Sequence, residues 1–220
     1  MALERRFRDR AEAGQLLAEQ LAEYSARSDV LVLALPRGGV PVALEIARRL
    51  SVPLDVFLVR KLGVPWHREL AMGAIASGGI EVLNDEVVRT YGIPRHVLDA
   101  VAKVEGEELE RRMHSYRGNK PLPQLTGHVA ILVDDGMATG STMRAAVAAI
   151  GRQRPAEVVV AVPVAAADAC DDLRHEVDRL ICLSTPETFV AVGDWYEDFS
   201  QTSDDQVRAL LKMGSDPIVS

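Results

Sequence analysis

The chain has 220 residues, 48% of them hydrophobic, which is enough for one sizeable core and at most a small appendage. A net charge of −7 and a pI near 5.3 speak against a nucleic-acid partner, and Cys170 and Cys182 are too few and too separated for a metal cluster or a disulfide framework. With no leader-like stretch, repeat or long apolar span in view, a soluble, cytoplasmic protein without a membrane partner is expected.

In chain order, residues 1–10 are charged and read as an exposed arm. Residues 11–24 carry Leu16, Leu17, Ala18 and Leu21 at helical spacing, predicting an amphipathic helix laid against a sheet. Residues 30–35 form a continuous apolar run, the signature of a strand buried on both faces, and end in Pro36-Arg37-Gly38-Gly39. Paired glycines let a backbone approach a ligand closely, and Pro41 suits the first turn of a helix running to Leu50. Alone, this segment reads as a plain strand-to-helix turn with a surface arginine. Residues 54–59 predict the next strand, closed by Arg60-Lys61-Leu62-Gly63, and alternation sends Arg60 and Lys61 to opposite faces.

Residues 64–70 are polar apart from Trp66 and show no period, so a loop is expected. His67 and Glu69 within it are candidate bases by position alone. Residues 70–76 and 80–83, separated by Ser77-Gly78-Gly79, predict a hairpin. Asn84 or Asp85 then caps a short helix that Gly92 ends. Pro94 opens a long helix reaching about Tyr116, with Val97, Val101, Val104 and Leu109 on its apolar side. Residues 118–126, with two prolines, are a linker.

Residues 129–146 carry the chemistry. The apolar run 129–133 is a strand buried on both faces, and it stops at Asp134 and Asp135, where a parallel strand would emerge at the ligand-binding edge of an open sheet. Gly136 allows a turn, and Thr139-Gly140-Ser141-Thr142 opens an alanine-rich helix. Small and hydroxyl residues there leave backbone N–H groups free for a phosphate. They are also ordinary helix caps. A nucleotide P-loop is excluded, because Gly136 and Gly140 are too close together and no Lys precedes Ser141. Carboxylates fused to a phosphate loop suit a ribose 5-phosphate.

The run Val133-Asp134-Asp135-Gly136-Met137-Ala138-Thr139-Gly140-Ser141-Thr142 resembles the signature of bacterial-type members of the type I phosphoribosyltransferases, which use phosphoribosyl pyrophosphate (PRPP). The resemblance implies that Asp134 and Asp135 hold the ribose hydroxyls and Mg²⁺. It gives Ala138, Thr139, Gly140, Ser141 and Thr142 the 5-phosphate. It makes 36–39 a pyrophosphate loop in which Arg37 and the amides of Gly38 and Gly39 grip the leaving group. Arg60-Lys61 is similar to the pair in adenine-type enzymes, with Lys61 reaching a phosphate. Residues 64–70 would be the mobile loop that excludes water.

Further on, residues 157–164 and 180–183 predict strands around a helix at 166–177, and residues 203–213 a closing helix. The alternation implies an α/β fold with a mostly parallel sheet covered on both faces, as in the resembled family. One domain over 1–220 is expected, with a core at about 30–183 and a small C-terminal hood at about 185–201. Four of the ten aromatics, Phe189, Trp195, Tyr196 and Phe199, fall within residues 189–199. They suit base stacking, with Asp194 near metal and pyrophosphate by loose similarity to hypoxanthine-type hoods. They suit packing or a dimer contact equally well, and a homo-oligomer, a dimer, is expected.

Ala138 stands where hypoxanthine-type enzymes carry an Asp, and the hood does not match the adenine type, so the acceptor stays unnamed. The expected activity is glycosyl transfer of the pentosyl kind within nucleotide metabolism, moving 5-phosphoribosyl from Mg-PRPP to a nitrogenous base or other amine with release of pyrophosphate. A PRPP-sensing regulatory protein without turnover is the alternative.

Overall fold

The computed structural model describes residues 6–215. Along the chain lie α1 (Arg10–Gln20), β1 (Val30–Ala34), α2 (Gly39–Leu50), β2 (Leu54–Val56), β3 (Val59–Val64), β4 (His67–Ala76) and β5 (Ile80–Leu83). Then come α3 (Asp85–Thr90), α4 (Arg95–Arg117), β6 (Val129–Val133), α5 (Ser141–Gly151), β7 (Glu157–Val164), α6 (Ala167–Arg174), β8 (Arg179–Ser184) and α7 (Asp204–Ser215). The caps foreseen for α3 are present, with Asn84 accepting from the Val87 amide and Gly92 taking a φ of 57° just beyond the helix.

The central sheet is wholly parallel, in the order β2-β1-β6-β7-β8. The apolar runs 30–34 and 129–133 supply two of its three inner strands, buried at every residue. Side-chain alternation divides each strand between two cores. Val30, Val32, Ala34, Val129, Ile131 and Val133 face the layer of α1, α2 and α7, while Leu31, Leu33, Ala130 and Leu132 face α5 and α6. Helices on both faces explain why these strands never alternate apolar with polar.

Residues 54–59 do not form one strand. The chain leaves the parallel sheet after Val56, and the Leu58 amide donates to the buried Ser77 hydroxyl. It re-enters as β3 of a separate antiparallel sheet, β3-β4-β5. Arg60 and Lys61 therefore lie early in β3 rather than closing a core strand; two charges in succession have no place between covered faces. Residues 64–70 are likewise not a loop: Val64 pairs with His67 across a tight turn at Pro65 and Trp66, and register shifts at Leu62, Gly63 and Val64 blur the periodicity. The hairpin of 70–76 with 80–83 is β4 with β5, pairing Gly73 with Leu83 through Ala76 with Ile80.

Two apolar assignments are corrected. Leu16 is 37% exposed, because α1 buries Ala13, Gly14, Leu17 and Ala18, with Gly14 pressed so close to α2 that a Cβ would lie 2.5 Å from the Val42 carbonyl oxygen. Val104 is 64% exposed, since α4 buries Leu98, Ala102, Leu109, Met113 and Tyr116 instead. The N-terminal segment is not a free arm from Phe7 onward. Phe7 is buried, its amide donates to the Trp195 carbonyl, and Arg10 is the first residue of α1.

Candidate active site

The strand order sets the place of the site. After β1 the chain passes through α2 to β2 on one side, and after β6 it passes through α5 to β7 on the other. The loops leaving β1 and β6 thus part at the sheet's C-terminal edge, the crevice where open parallel sheets take their ligands. These are the two loops, 36–39 and 134–140, that the sequence singles out. The Leu35 amide donates to the Val133 carbonyl and keeps their roots together.

Asp134 and Asp135 sit at the floor of this crevice. The Asp135 amide donates to Asp134 Oδ1 at 2.8 Å, and burial, then the neighbouring Asp135 carboxylate, push the Asp134 carboxyl well above the usual range. Asp135 touches the other loop: a Cβ on Gly38 would lie 1.9 Å from Asp135 Oδ2, and one on Gly39 would lie 2.6 Å from the Val133 carbonyl oxygen. Both glycines are required by close approach, and Gly38 has an ordinary helical φ of −62°.

A residue without any sequence signal completes this cluster. Arg10 donates from Nε to Asp135 Oδ2 at 2.8 Å, and its Nη1 donates to the Ser200 carbonyl at 2.8 Å. The ion pair is nearly dry, at 11% and 15% side-chain exposure. The guanidinium lies 3.9 Å from the Phe199 ring centroid, and the buried Tyr196 hydroxyl donates to the Asp135 carbonyl at 2.6 Å. Burial, then Asp135, push the Tyr196 phenol up, so it stays a donor. Only the conjunction of an N-terminal arginine with the motif aspartate in space reveals Arg10.

The loop after the aspartates is held at one point. The Met137 amide donates to the Val164 carbonyl and the Ala166 amide to that of Met137, docking the loop on the end of β7. Gly140 takes φ 67°, the left-handed turn that admits the chain to α5. On either side of it Ala138, Thr139 and Thr142 are exposed, and the Thr139 and Ser141 hydroxyls lie 3.0 Å apart. Among the described residues the amides of 138–140 have no partner, the condition an anion site needs. Lys61 and Ser141 line one cavity of about 510 Å³. Arg60 points away, to Glu105 on α4, as strand alternation required.

Other candidates are dispersed. Arg37 turns toward α7, with Nη1 3.8 Å from Asp204, whose carboxylate also accepts from the Tyr116 hydroxyl. Phe189 and Trp195 are half-buried and pack on the cluster of Phe7, Ala13, Val164 and Tyr196. The indole N–H of Trp195 is buried without a partner among the described residues. Asp194 is exposed in the short 3-10 turn Val192–Trp195. His67 is exposed at the hairpin tip, and the side chain of Glu69 lies outside the described residues.

For a divalent cation the protein offers two adjacent carboxylates, and among the described residues no group of three or more acidic, His or Cys side chains gathers as a metal cage. Mg²⁺ commonly takes one or two carboxylates and completes its shell with water and substrate oxygens. Asp134 and the Oδ1 of Asp135 are a donor set of that size.

Residues 66–200 match the family model described as phosphoribosyl transferase domain. The chain is 47% identical over 205 residues to a Mycobacterium tuberculosis protein named "Putative phosphoribosyl transferase", covering 93% of this chain and 46% of that one. It thus spans about half the length of the curated relatives it matches. TT1426 from Thermus thermophilus, a crystal structure, superposes with a TM-score of 0.86 at 43% identity, covering 96% of this chain and 100% of that one.

Proposed function

We propose, because this chain belongs to the phosphoribosyl transferase domain family, that it transfers a 5-phosphoribosyl group from Mg-PRPP to a nitrogenous base or other amine, releasing pyrophosphate. The observation that carries this reading is the meeting of the two loops at the switch point, where Gly38 lies against the Asp135 carboxylate beside a phosphate-ready helix start.

In this reading the 5-phosphate takes the free amides of 138–140 with the Thr139 and Ser141 hydroxyls, and the ribose hydroxyls donate to Asp134 and Asp135. Pyrophosphate lies against the amide of Gly38, the Gly39 amide donating to the Leu35 carbonyl instead, with Lys61 as a compact counter-charge from the facing sheet. The C1′–O bond breaks with its electron pair going to pyrophosphate, the acceptor nitrogen's lone pair forms the C1′–N bond, and the nitrogen's proton passes to solvent or product. Mg²⁺ held at Asp134 and Asp135, when bound, supplies charge neutralisation to the leaving pyrophosphate. The two aspartates also face the sugar as it becomes cationic. Fixed charges of this kind in a shielded crevice do most of the work in such a dissociation.

Calorimetric titration with PRPP, with and without Mg²⁺, tests the reading on the wild type and on Asp134→Asn with Asp135→Asn. Saturable, magnesium-dependent binding that the double variant loses supports it. Pyrophosphate release across a panel of purines, pyrimidines and amines then identifies the acceptor. Binding without release for any acceptor assigns a PRPP sensor instead, and no binding at all overturns the site.

A further inference from the structure

Arg10 connects three parts of the molecule that the transfer reaction would have to bring together. Its Nε and Nη2 hold Asp135 Oδ2, its Nη1 holds the Ser200 carbonyl of the hood, and its guanidinium plane lies over Phe199, which stacks on Tyr196 at 5.0 Å. The segment leading into it is tied to the same hood. Phe7 donates to the Trp195 carbonyl, the Glu197 amide donates back to the Phe7 carbonyl, the Asp198 amide donates to the Arg8 carbonyl, and the Phe7 ring meets Tyr196 at 5.5 Å.

The Asp135 carboxylate is therefore held on two sides. Gly38 presses on Oδ2 from the loop after β1, and Arg10 binds the same oxygen from α1. Oδ1 is the oxygen left for a ligand. With 11% and 15% of the two side chains exposed, little water reaches the pairing, and the planar fork meets carboxylate, carbonyl and ring at once.

We infer that Arg10 is a positioning residue: it aims Asp135 Oδ1 at the ribose and couples occupancy of that site to the seating of the hood. The inference rests on the phosphoribosyl-transfer reading for the identity of the ligand, but the bracket itself is a property of the free protein. A ligand that fixes Asp135 fixes Arg10, and through Ser200, Phe199 and the Phe7–Asp198 ladder it fixes the hood over the acceptor. Coupling of this kind needs a contiguous set of contacts and a differential response, and both are accessible to measurement.

The test compares wild type, Arg10→Met and Arg10→Lys by PRPP calorimetry and by amide hydrogen exchange, with amides of β6 as the reference for global stability. In the wild type, saturating PRPP slows exchange at Glu197 and Asp198. Arg10→Met is expected to weaken PRPP by about tenfold or more, the worth of one charge-assisted contact. At saturation it should no longer transmit protection to those two amides, while β6 exchanges as before. Arg10→Lys restores charge beside Asp135 without the fork, so affinity returns in part and the transmitted protection does not. A merely structural arginine would lower the protection of β6 and the hood together and leave the transmission intact.

Wild-type affinity and transmission in Arg10→Met would overturn the inference. Should the wild type fail to bind PRPP, the functional reading falls, and the ligand-free arm still decides the bracket. Faster exchange at Glu197 and Asp198 in Arg10→Met, relative to β6, upholds it, and unchanged exchange refutes it.

Discussion

Gly38→Ala isolates the contact on which the site's assembly depends. Gly38 has φ −62° and ψ −32°, so alanine needs no change of backbone conformation. The added methyl would lie 1.9 Å from Asp135 Oδ2, 2.4 Å from its Cγ and 2.9 Å from its Oδ1. Relief to van der Waals distance requires the carboxylate to retreat by roughly 1.5 Å, given contact minima of about 3.5 Å. A shift that large breaks the 2.8 Å Arg10 Nε–Oδ2 bond or drags α1 with it. Overpacking of a filled site costs about 1–3 kcal/mol. Parting the nearly dry ion pair adds less than the roughly 3–5 kcal/mol of deleting one partner, because both charges survive and can rehydrate. A net destabilisation of about 2–4 kcal/mol follows from these two terms. Urea unfolding should show a lower midpoint with an unchanged slope, and PRPP calorimetry should show affinity lost in step. Gly151, a helical glycine with open space around its missing Cβ, supplies the control: Gly151→Ala should be neutral or stabilise by about 0.5–1 kcal/mol. Stability within about 0.5 kcal/mol of wild type and unaltered PRPP binding in Gly38→Ala would refute the contact, since that is the range of an ordinary surface change.

Gly140→Ala places a side chain at φ 67°, and Met137 Sδ lies 3.3 Å from the new Cβ, so it should cost about 1–2 kcal/mol in urea unfolding and weaken PRPP through the distorted loop; an unchanged midpoint would show that the left-handed turn is dispensable. Arg117→Met removes a guanidinium with 5% side-chain exposure that grips Asp55 twice and two linker carbonyls, leaving that carboxylate uncompensated, and should lower stability by about 3 kcal/mol; a loss under about 1 kcal/mol would mark the pair as ordinary surface charge. Asp134→Asn with Asp135→Asn should leave the fold intact by circular dichroism and lower turnover by more than about tenfold, and unchanged pyrophosphate release would end their assignment. The exposed Glu108 carboxyl, bonded by Arg111 and then Arg112, is held down at about 2. Because its folded value is depressed, its contribution is present above the ordinary value of 4.5 and is lost as pH falls toward 2; an NMR titration with a midpoint near 4.5 would show the fork unformed in solution.

Much of the fold was legible because its elements obey local rules. β6 and β7 read as apolar runs because helices cover both faces, and α3 was bounded by Asn84 and Gly92 because caps are local chemistry. The break between β2 and β3 was not legible, because the apolar run 56–59 crosses it. What ends the strand is Ser77, nineteen residues ahead, whose hydroxyl and backbone take over the bonds of Leu58. The tip of the β3–β4 hairpin was hidden for a related reason: the shifted register at Leu62, Gly63 and Val64 spoils the period that identifies a strand.

The candidate site divides along the same line. Asp134, Asp135 and the loop to Thr142 were found because one contiguous stretch provides the strand end, the carboxylates and the helix start. The Pro36-Arg37-Gly38-Gly39 turn took its meaning only from that neighbour, and the structure supplies the physical link, since Gly38 is a glycine because Asp135 occupies the space a side chain would need. Arg37 was expected inside the crevice and reaches Asp204 instead, a partner 167 residues distant that no local pattern announces. Arg10 is the extreme case. It lies in a stretch rich in arginines, and what distinguishes it is an acid 125 residues away and a carbonyl 190 residues away. The sequence-local half of the site would bind the phosphosugar, and the half assembled from remote residues would hold that site against its hood. If the bracket works as inferred, acceptor selection will depend on residues 7–10 as well as on 189–201. Exchanging the hood alone with that of a relative should then yield a protein that binds PRPP and transfers poorly, whereas exchanging both segments together should restore transfer; full transfer from the hood exchange alone would show that the N-terminal segment has no part in it.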